Sequence, residues 1–254
     1  MSKRTVIVTG AARGIGLATA RLMIADDWQV IMVDRDAQTL YQAAEDLDRV
    51  KAIECDVSSP DDINAMIDIA MSEFGQVDAL VNNAGVAEFQ ALDKTDFATW
   101  RRVMATNLDG VFLCSQATIP ALKDSSGSIV NIASISGLRA STLRTAYGTS
   151  KAAVIQLTKQ QAAELGEFGV RVNCVCPGPV RTKLAMAVHT PQIVDAYHDA
   201  IPLNRYGSEE EIANMISYLC SDKASFITGQ IISVDGGFES TGVGLPALRQ
   251  DAND

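Results

Sequence analysis

Residues 5–16 read Thr-Val-Ile-Val-Thr-Gly-Ala-Ala-Arg-Gly-Ile-Gly. An apolar run of strand character ends in a glycine-rich turn, and a helical pattern follows at once. Glycines let the backbone turn sharply and approach a pyrophosphate, whose charge is favoured at a helix N-terminus. The spacing Gly-x-x-x-Gly-x-Gly differs from the commonest fingerprint, and any tight strand-to-helix turn could use glycines. Its position after the first strand nevertheless favours a dinucleotide site that includes Gly10, Arg13, Gly14, Ile15 and Gly16.

Seven strand-like apolar runs recur along the chain, with helix-length amphipathic segments in most of the gaps. The runs lie at roughly 4–9, 29–34, 50–55, 78–82, 128–134, 170–175 and 230–234. Helix starts are indicated by Ser59-Pro60-Asp61-Asp62 and by a capping box at Ser208-Glu209-Glu210-Glu211. Strands that are buried on both faces and alternate with helices predict an α/β fold, with a parallel sheet covered on both sides.

Composition limits the class of protein. With 254 residues, 47% of them hydrophobic, the chain can bury one core as a single domain, which we expect over 1–245 before a polar tail at 246–254. The net charge of −10 disfavours nucleic acids and anionic membranes as partners. The apolar run at Val6 is too short for a signal peptide or a membrane span, so we expect a cytoplasmic protein.

Five cysteines are scattered along the chain. Cys174 and Cys176 lie in an apolar strand-like run with no histidine near them. Reduced, mostly buried thiols of a cytosolic protein explain this pattern, and we expect no metal site. The other three are Cys55, Cys114 and Cys220.

A carboxylate closes the second strand at Asp34, 18 residues after Gly16. It can bond the hydroxyls of an adenosine ribose and would repel a 2′-phosphate. Like unit charges ~4 Å apart cost roughly 1 kcal/mol in water and ~4 kcal/mol at a protein surface, or about one to three powers of ten in affinity. Arg13 and Arg35 could reach a 2′-phosphate, but a flexible arginine can turn to solvent. The pattern therefore favours NAD over NADP as cofactor.

Tyr147 and Lys151 lie four residues apart and would share one face of a helix. A nearby cation favours the phenolate of a tyrosine, which can then exchange a proton with an alcohol or carbonyl oxygen. Because a Tyr-x-x-x-Lys pair also occurs on ordinary surface helices, its meaning depends on the rest of the chain.

Together these motifs resemble the classical short-chain dehydrogenase/reductase family over nearly the whole chain. The family's order is kept by Thr9-Gly-x-x-x-Gly-x-Gly16, Asp56-Val57, Asn82-Asn83-Ala84-Gly85, Asn107, Ser134, Tyr147-x-x-x-Lys151 and Pro177-Gly178. The resemblance implies a Rossmann-like, doubly wound parallel sheet of seven strands flanked by helices. It also implies a homotetramer and hydride transfer between a nicotinamide and a secondary alcohol or ketone. Apolar residues on more than one face of the helices around 96–122 and 145–168 agree with such a tetramer.

The resemblance assigns catalytic roles to four residues. Tyr147 would be the acid/base, and Lys151 would favour its phenolate and bond the nicotinamide ribose. Ser134 would hydrogen-bond the substrate oxygen. Asn107, inside the fourth helix, would hold a water that links Lys151 to solvent. Without the resemblance, Ser134 could be a turn former and Asn107 a packing residue.

The resemblance also assigns the cofactor contacts. Asp56 would meet the adenine amino group, Val57 would flank the ring, and Asn83 and Gly85 would line the adenosine ribose. The Val180 backbone would meet the carboxamide. The predicted cofactor set is Gly10, Arg13, Gly14, Ile15, Gly16, Asp34, Arg35, Asp56, Val57, Asn83, Ala84, Gly85, Tyr147, Lys151, Pro177, Gly178, Val180 and Thr182.

A substrate lid is expected at about 183–206, because this segment follows the cofactor-binding turn and lacks strand character. Its two histidines are interpreted as surface residues rather than ligands; Met186, His189, Tyr197 and His198 all fall there. The pocket floor is expected to include Ser136, Leu138, Arg144 and the segment Val86–Gln90. Arg144, which the resemblance places beside the substrate, could clamp a carboxylate or sulfonate or could face solvent.

Three functions remain open. The leading hypothesis is an NAD-dependent dehydrogenase that acts on a small hydroxylated metabolite, such as a polyol, a sugar or a hydroxy acid. A 3-oxoacyl-(acyl-carrier-protein) reductase of the same fold is the second hypothesis, and it would prefer NADPH and carry a basic docking patch. Asp34 and the negative net charge of the chain count against it. A nucleotide-binding regulator without catalysis is the third, and the intact catalytic residues count against it.

Overall fold

A computed structural model of the protein describes residues 3–182, 186 and 189–242. Its strands are β1 (Thr5–Thr9), β2 (Gln29–Asp34), β3 (Val50–Glu54), β4 (Ala79–Asn82), β5 (Ser128–Ile132), β6 (Arg171–Pro177) and β7 (Ile231–Val234). They form one seven-stranded sheet in the order β3-β2-β1-β4-β5-β6-β7, and every neighbouring pair is parallel. The predicted Rossmann-like, doubly wound α/β fold is confirmed. The predicted tail at 246–254 lies outside the described residues.

Helices connect the strands. They are α1 (Gly14–Ala25), α2 (Ala37–Ala44), α3 (Pro60–Phe74), α4 (Phe97–Met104), α5 (Gly110–Ser125), α6 (Ile135–Leu138), α7 (Thr145–Leu165), α8 (Pro191–Ala200) and α9 (Glu209–Cys220). Both predicted helix starts are confirmed. The Ser59 hydroxyl accepts a hydrogen bond from the Asp62 backbone at 3.3 Å. At the start of α9, Ser208 and Glu211 form both bonds of a capping box.

Two strand ends differ by two residues from the sequence prediction. β5 ends at Ile132 and does not reach 134, because the Ser134 hydroxyl caps α6 by accepting a bond from the Ser136 backbone at 3.1 Å. β6 instead continues to Pro177, which pairs with Val234 of β7. Both differences come from side-chain and sheet contacts that an apolar run does not encode.

Apolar layers cover both faces of the sheet. Alternate residues of β1 point to opposite faces, so Val6 and Val8 pack in one layer and Ile7 in the other. The first layer includes Met23 of α1 and Ile216 of α9. Fully buried strands explain why the apolar runs are nearly continuous in the sequence.

The sheet order reverses beside β1, which pairs with β2 on one side and β4 on the other. In open α/β sheets a crevice forms at this reversal, outside the carboxyl ends of the strands. The turn after β1 and the ends of β2 and β4 therefore meet at one edge. No helix among the described residues is long and apolar enough to cross a membrane. The cytoplasmic location stays a prediction.

Candidate active site

The glycine-rich turn is held by close backbone contacts. Gly10 has a φ of +65°, and a Cβ added there would lie 2.9 Å from Ala84 Cα. A Cβ on Gly16 would lie 2.1 Å from the Gly10 carbonyl oxygen. The Asn83 side-chain amide donates to the carbonyls of Thr9 at 2.9 Å and Gly10 at 3.1 Å. Both glycines are thus required by packing, and Asn83 fixes the turn in place.

A cavity of about 470 Å³ lies along this edge of the sheet. Because most of the predicted cofactor residues line it, it is called the cofactor cavity below. Two of its lining residues, Cys55 and Thr106, were not predicted from the sequence, although each directly precedes a predicted site residue. Gly16 packs beneath the turn and is not among the lining residues. The predicted cofactor residues that line the cavity are Gly10, Arg13, Gly14, Ile15, Asp34, Arg35, Asp56, Val57, Asn83, Ala84, Gly85 and Thr182.

Asp34 is oriented by backbone donors. One of its carboxylate oxygens accepts a hydrogen bond from the Ala12 backbone at 3.1 Å, and the other accepts one from the Asp36 backbone at 3.0 Å. Asp56 is fixed in a similar way, since its Oδ1 accepts from the Ser58 backbone at 2.9 Å and from the Ser58 hydroxyl at 2.7 Å. Two carboxylates therefore face the cavity in fixed positions.

A second cavity, of about 270 Å³, shares Ile15, Asn83, Gly85, Val86, Ala87 and Thr182 with the first. It brings together three of the four predicted catalytic residues, Ser134, Tyr147 and Lys151, and is called the catalytic cavity below. Leu138, predicted as a floor residue, is not part of the lining, and its side chain is exposed on α6. Other predicted residues that line this cavity are Ser136, Arg144, Pro177, Gly178 and Val180.

α7 presents Tyr147 and Lys151 one helical turn apart. The Lys151 ammonium lies 5.8 Å from the centre of the Tyr147 ring and donates to the Ile132 carbonyl at 2.8 Å. Its side chain is buried and forms no ion pair with any residue that the structure describes. A buried ammonium without a carboxylate partner favours negative charge on a neighbouring group.

Asn107 differs from its prediction in local structure. It lies in a π-helical turn, Ala105–Asp109, between α4 and α5 rather than in a regular helix. Its Oδ1 accepts from the Val86 backbone at 2.8 Å, while its Nδ2 donates to the Val86 carbonyl at 2.9 Å and to the Ser150 hydroxyl at 3.1 Å. The side chain thereby holds the segment beside the catalytic cavity. The water that Asn107 would hold stays a prediction.

Aromatic side chains and one arginine form the outer wall of the catalytic cavity. The Arg144 guanidinium lies 3.9 Å from the centre of the Phe89 ring and 5.3 Å from that of Tyr147. His189 stacks on Tyr197 with ring centres 5.5 Å apart. Its Nδ1 lies 3.0 Å from the Tyr206 hydroxyl.

His189 and Tyr197 both line this cavity, so His189 does not lie on the outer surface as the sequence interpretation had it. Burial lowers the pKa of His189 below its ordinary value, and the Arg144 cation lowers it further. Both effects favour the neutral imidazole, whereas Arg144 is a cation in the same wall.

The five cysteines are free and buried. Burial raises the pKa of Cys55 to about 12, so this thiol is not a nucleophile at neutral pH although it lines the cofactor cavity. Within the described ranges, no cluster of histidine, cysteine, aspartate and glutamate is arranged to hold a metal ion.

Known proteins share the sequence and the fold over nearly the whole chain. A family model described as "Enoyl-(Acyl carrier protein) reductase" matches residues 10–239. The cis-4-hydroxycyclohexanecarboxylate dehydrogenase of Sinomonas cyclohexanicum is 40% identical over 243 residues, 93% of this chain and 97% of that protein. The 3-oxoacyl-(acyl-carrier-protein) reductase FabG of Staphylococcus epidermidis is 37% identical over 240 residues, 92% of this chain and 98% of that protein.

A solved structure, the crystal structure of gox2181, superposes with a TM-score of 0.91 at 32% identity and covers 95% of this chain and 97% of its own. The chain belongs to the short-chain dehydrogenase/reductase family. As a member of that family it is an oxidoreductase that acts on CH–OH groups with NAD or NADP. The hypothesis of a regulator without catalysis is therefore without support.

Proposed function

We propose that this protein is an NAD-dependent dehydrogenase that interconverts a secondary alcohol and a ketone on a small hydroxylated metabolite, such as a polyol, a sugar or a hydroxy acid. One observation carries the proposal. The Asp34 carboxylate lines a cavity that continues into a second cavity holding Ser134, Tyr147 and Lys151. The first cavity suits a nucleotide with free ribose hydroxyls. The second suits an alcohol whose hydroxyl proton is transferred to a side chain.

The described residues fit a nicotinamide dinucleotide. The glycine turn leaves room where a Cβ would meet Ala84, and the N-terminus of α1 follows it, which suits a pyrophosphate. Asp34 would bond the adenosine ribose and Lys151 the nicotinamide ribose. The Val180 backbone would meet the carboxamide, and the Thr182 hydroxyl the carboxamide or the pyrophosphate. When bound, the nicotinamide supplies the hydride acceptor at its C4.

The chain's own residues transfer the proton and stabilise the charges that result. The Tyr147 phenolate takes the proton from the hydroxyl oxygen of the alcohol, while hydride leaves the carbon that bears this hydroxyl. The Ser134 oxygen already accepts a bond from the Ser136 backbone, so its hydrogen remains to donate to the substrate oxygen. That donor stabilises the oxygen as its charge changes. The buried Lys151 ammonium stabilises the phenolate before transfer.

A substrate screen tests this proposal. NAD reduction is measured with polyols, hydroxy acids, hydroxysteroids and simple secondary alcohols, and each is repeated with NADP. We expect at least one class to be oxidised, with higher kcat/KM for NAD. Higher efficiency with NADP for every substrate that reacts would contradict the NAD assignment.

The second candidate function is a 3-oxoacyl-(acyl-carrier-protein) reductase. The FabG relative favours it, and the description of the matching family model also names an acyl-carrier-protein substrate, although for an enoyl reductase. Asp34 and the net charge of −10 count against it, because a phosphorylated ribose and an acidic carrier protein would both be repelled. NADPH oxidation with acetoacetyl-acyl-carrier protein distinguishes the two, and we expect it to be far slower than the best NAD reaction.

We also propose that the substrate carries an anionic group. Arg144 lines the catalytic cavity, where Phe89 supports its guanidinium, and it forms no ion pair with the residues that the structure describes. Such a guanidinium can bind a carboxylate or sulfonate through two parallel hydrogen bonds, for about 1.5–3 kcal/mol. The relative from Sinomonas, named for a hydroxycyclohexanecarboxylate, is consistent with a carboxylate substrate.

Replacing Arg144 by alanine is expected to raise KM at least about tenfold for cis-4-hydroxycyclohexanecarboxylate, because a charged hydrogen bond is lost. The KM for the neutral amide of the same compound is expected to change by less than about twofold. Arg139→Ala is the matched control, since Arg139 also stacks on a phenylalanine, Phe238 at 4.1 Å, but does not line the cavity. Equal responses of acid and amide would show that Arg144 is structural.

We propose that the protein is a homotetramer. Phe97 on α4, Phe112 on α5 and Phe168 just after α7 are exposed at 75%, 47% and 40%, and contacts between subunits would bury this apolar surface. Light scattering at micromolar concentration is expected to give four chain masses, and Phe112→Glu is expected to lower that mass. A monomer mass for the wild-type protein would contradict the proposal.

A further inference from the structure

We propose that Asp36 strengthens the preference for NAD by holding the Arg13 guanidinium, so that this cation is not available to a 2′-phosphate. The inference rests on the proposed use of NAD. Among the residues that the structure describes, Arg13 and Arg35 are the cations that line the cofactor cavity beside Asp34. A free guanidinium in this place is what recognition of a 2′-phosphate requires.

The Arg13 guanidinium is engaged by the start of α2. Its Nη2 donates to the Asp36 carboxylate and, at 3.1 Å, to the Thr39 hydroxyl. Thr39 is itself bound to Asp36, because its backbone N–H donates to Oδ1 at 3.2 Å and its hydroxyl donates to Oδ2 at 2.9 Å. Asp36 is the N-cap of α2, so the helix fixes where this carboxylate lies.

Asp36 keeps its charge at neutral pH. The hydrogen bond from the Thr39 backbone holds the pKa of Asp36 below its ordinary value, and the Thr39 hydroxyl and Arg13 add to this effect. The backbone of Asp36 also donates to Asp34, so two carboxylates lie side by side next to a cation that is already paired. Asp34 therefore lines the cavity, while the neighbouring Arg13 cation is already paired with Asp36.

The ion pair can act on specificity although it contributes little to stability. Both side chains are partly exposed, and exposed pairs are weak. A 2′-phosphate that recruits Arg13 must nevertheless break the pair and leave Asp36 facing a like charge. Arg35 makes no ion pair with the residues that the structure describes, and we assign residual NADP use to it.

Asp36→Asn tests the inference, because asparagine is an equally good N-cap and only the charge is removed. We expect kcat/KM for NADP to rise about tenfold and kcat/KM for NAD to stay within about twofold. Asp96→Asn is the matched control. Asp96 caps α4 and accepts from the Thr99 backbone at 2.7 Å in the same Asp-x-x-Thr arrangement, but among the described residues it forms no ion pair with one that lines the cofactor cavity.

Arg13→Ala/Asp36→Asn separates release of Arg13 from removal of a negative charge. If Asp36 acts by holding Arg13, the double variant has the NADP efficiency of Arg13→Ala alone. The inference would be overturned if the double variant had a higher kcat/KM for NADP than Arg13→Ala alone. It would also be overturned if Asp36→Asn changed this kcat/KM no more than Asp96→Asn does. A wild-type protein that prefers NADP would show instead that the proposed function itself has failed.

Discussion

Tyr147→Phe is expected to abolish turnover while NAD binding persists. Only the group that exchanges the proton is lost, and the ring that faces Arg144 and Lys151 remains. General acid–base catalysis contributes about 10²–10⁴-fold, so we expect kcat to fall at least ~100-fold. The measurement is kcat with the best substrate, together with the Kd for NAD from fluorescence titration.

Lys151→Ala is the companion variant, and it should impair both quantities. The ammonium lies beside Tyr147, donates to the Ile132 carbonyl and is proposed to bond the nicotinamide ribose. Its removal therefore affects the proton transfer and the cofactor together. A phenylalanine variant at 147 that keeps more than a few per cent of the wild-type rate would show that another group exchanges the proton.

Asp34→Ala is expected to lower the NAD/NADP ratio of kcat/KM by about one to three powers of ten, the range that a like charge beside a phosphate accounts for. Alanine also leaves the Ala12 and Asp36 backbone donors without their acceptor. Asp34→Asn is therefore measured as well, since it removes the charge and keeps an acceptor.

The matched control for Asp34 is Asp78→Asn. Asp78 also accepts a hydrogen bond from a backbone N–H, that of Thr5 at 2.7 Å, but it directly precedes β4 and so lies at the amino ends of the strands, opposite Asp34. We expect this control to leave the cofactor ratio unchanged. An unchanged ratio in the two Asp34 variants would mean that the carboxylate does not meet the ribose.

The fold could be predicted because its signals are local. Buried parallel strands read as continuous apolar runs, and the glycine turn, the N-cap at Ser59 and the capping box at Ser208 mark where helices begin. The sequence places the end of β5 too late, because Ala133 extends the apolar run while the Ser134 hydroxyl already caps the next helix.

The details of the site depend on contacts between distant parts of the chain. Arg13 and Asp36 are 23 residues apart and meet only because β1 and β2 are neighbours in the sheet. The π-helical turn at Asn107 has no recognisable signal in the sequence, because the side-chain bonds of Asn107 go to distant residues, the Val86 backbone and the Ser150 hydroxyl. His189 likewise reaches the cavity through its partners Tyr197 and Tyr206.

Hydride transfer is measured most directly with a secondary alcohol that carries deuterium on the carbinol carbon. The wild-type protein is incubated with NAD and the labelled form of the best substrate from the screen, and the reduced cofactor is analysed by mass spectrometry. We expect the deuterium on C4 of NADH, a primary isotope effect on the transfer step, and no labelled NADH with Tyr147→Phe. Unlabelled NADH, or labelled product that forms with NADP but not with NAD, would contradict an NAD-dependent dehydrogenase.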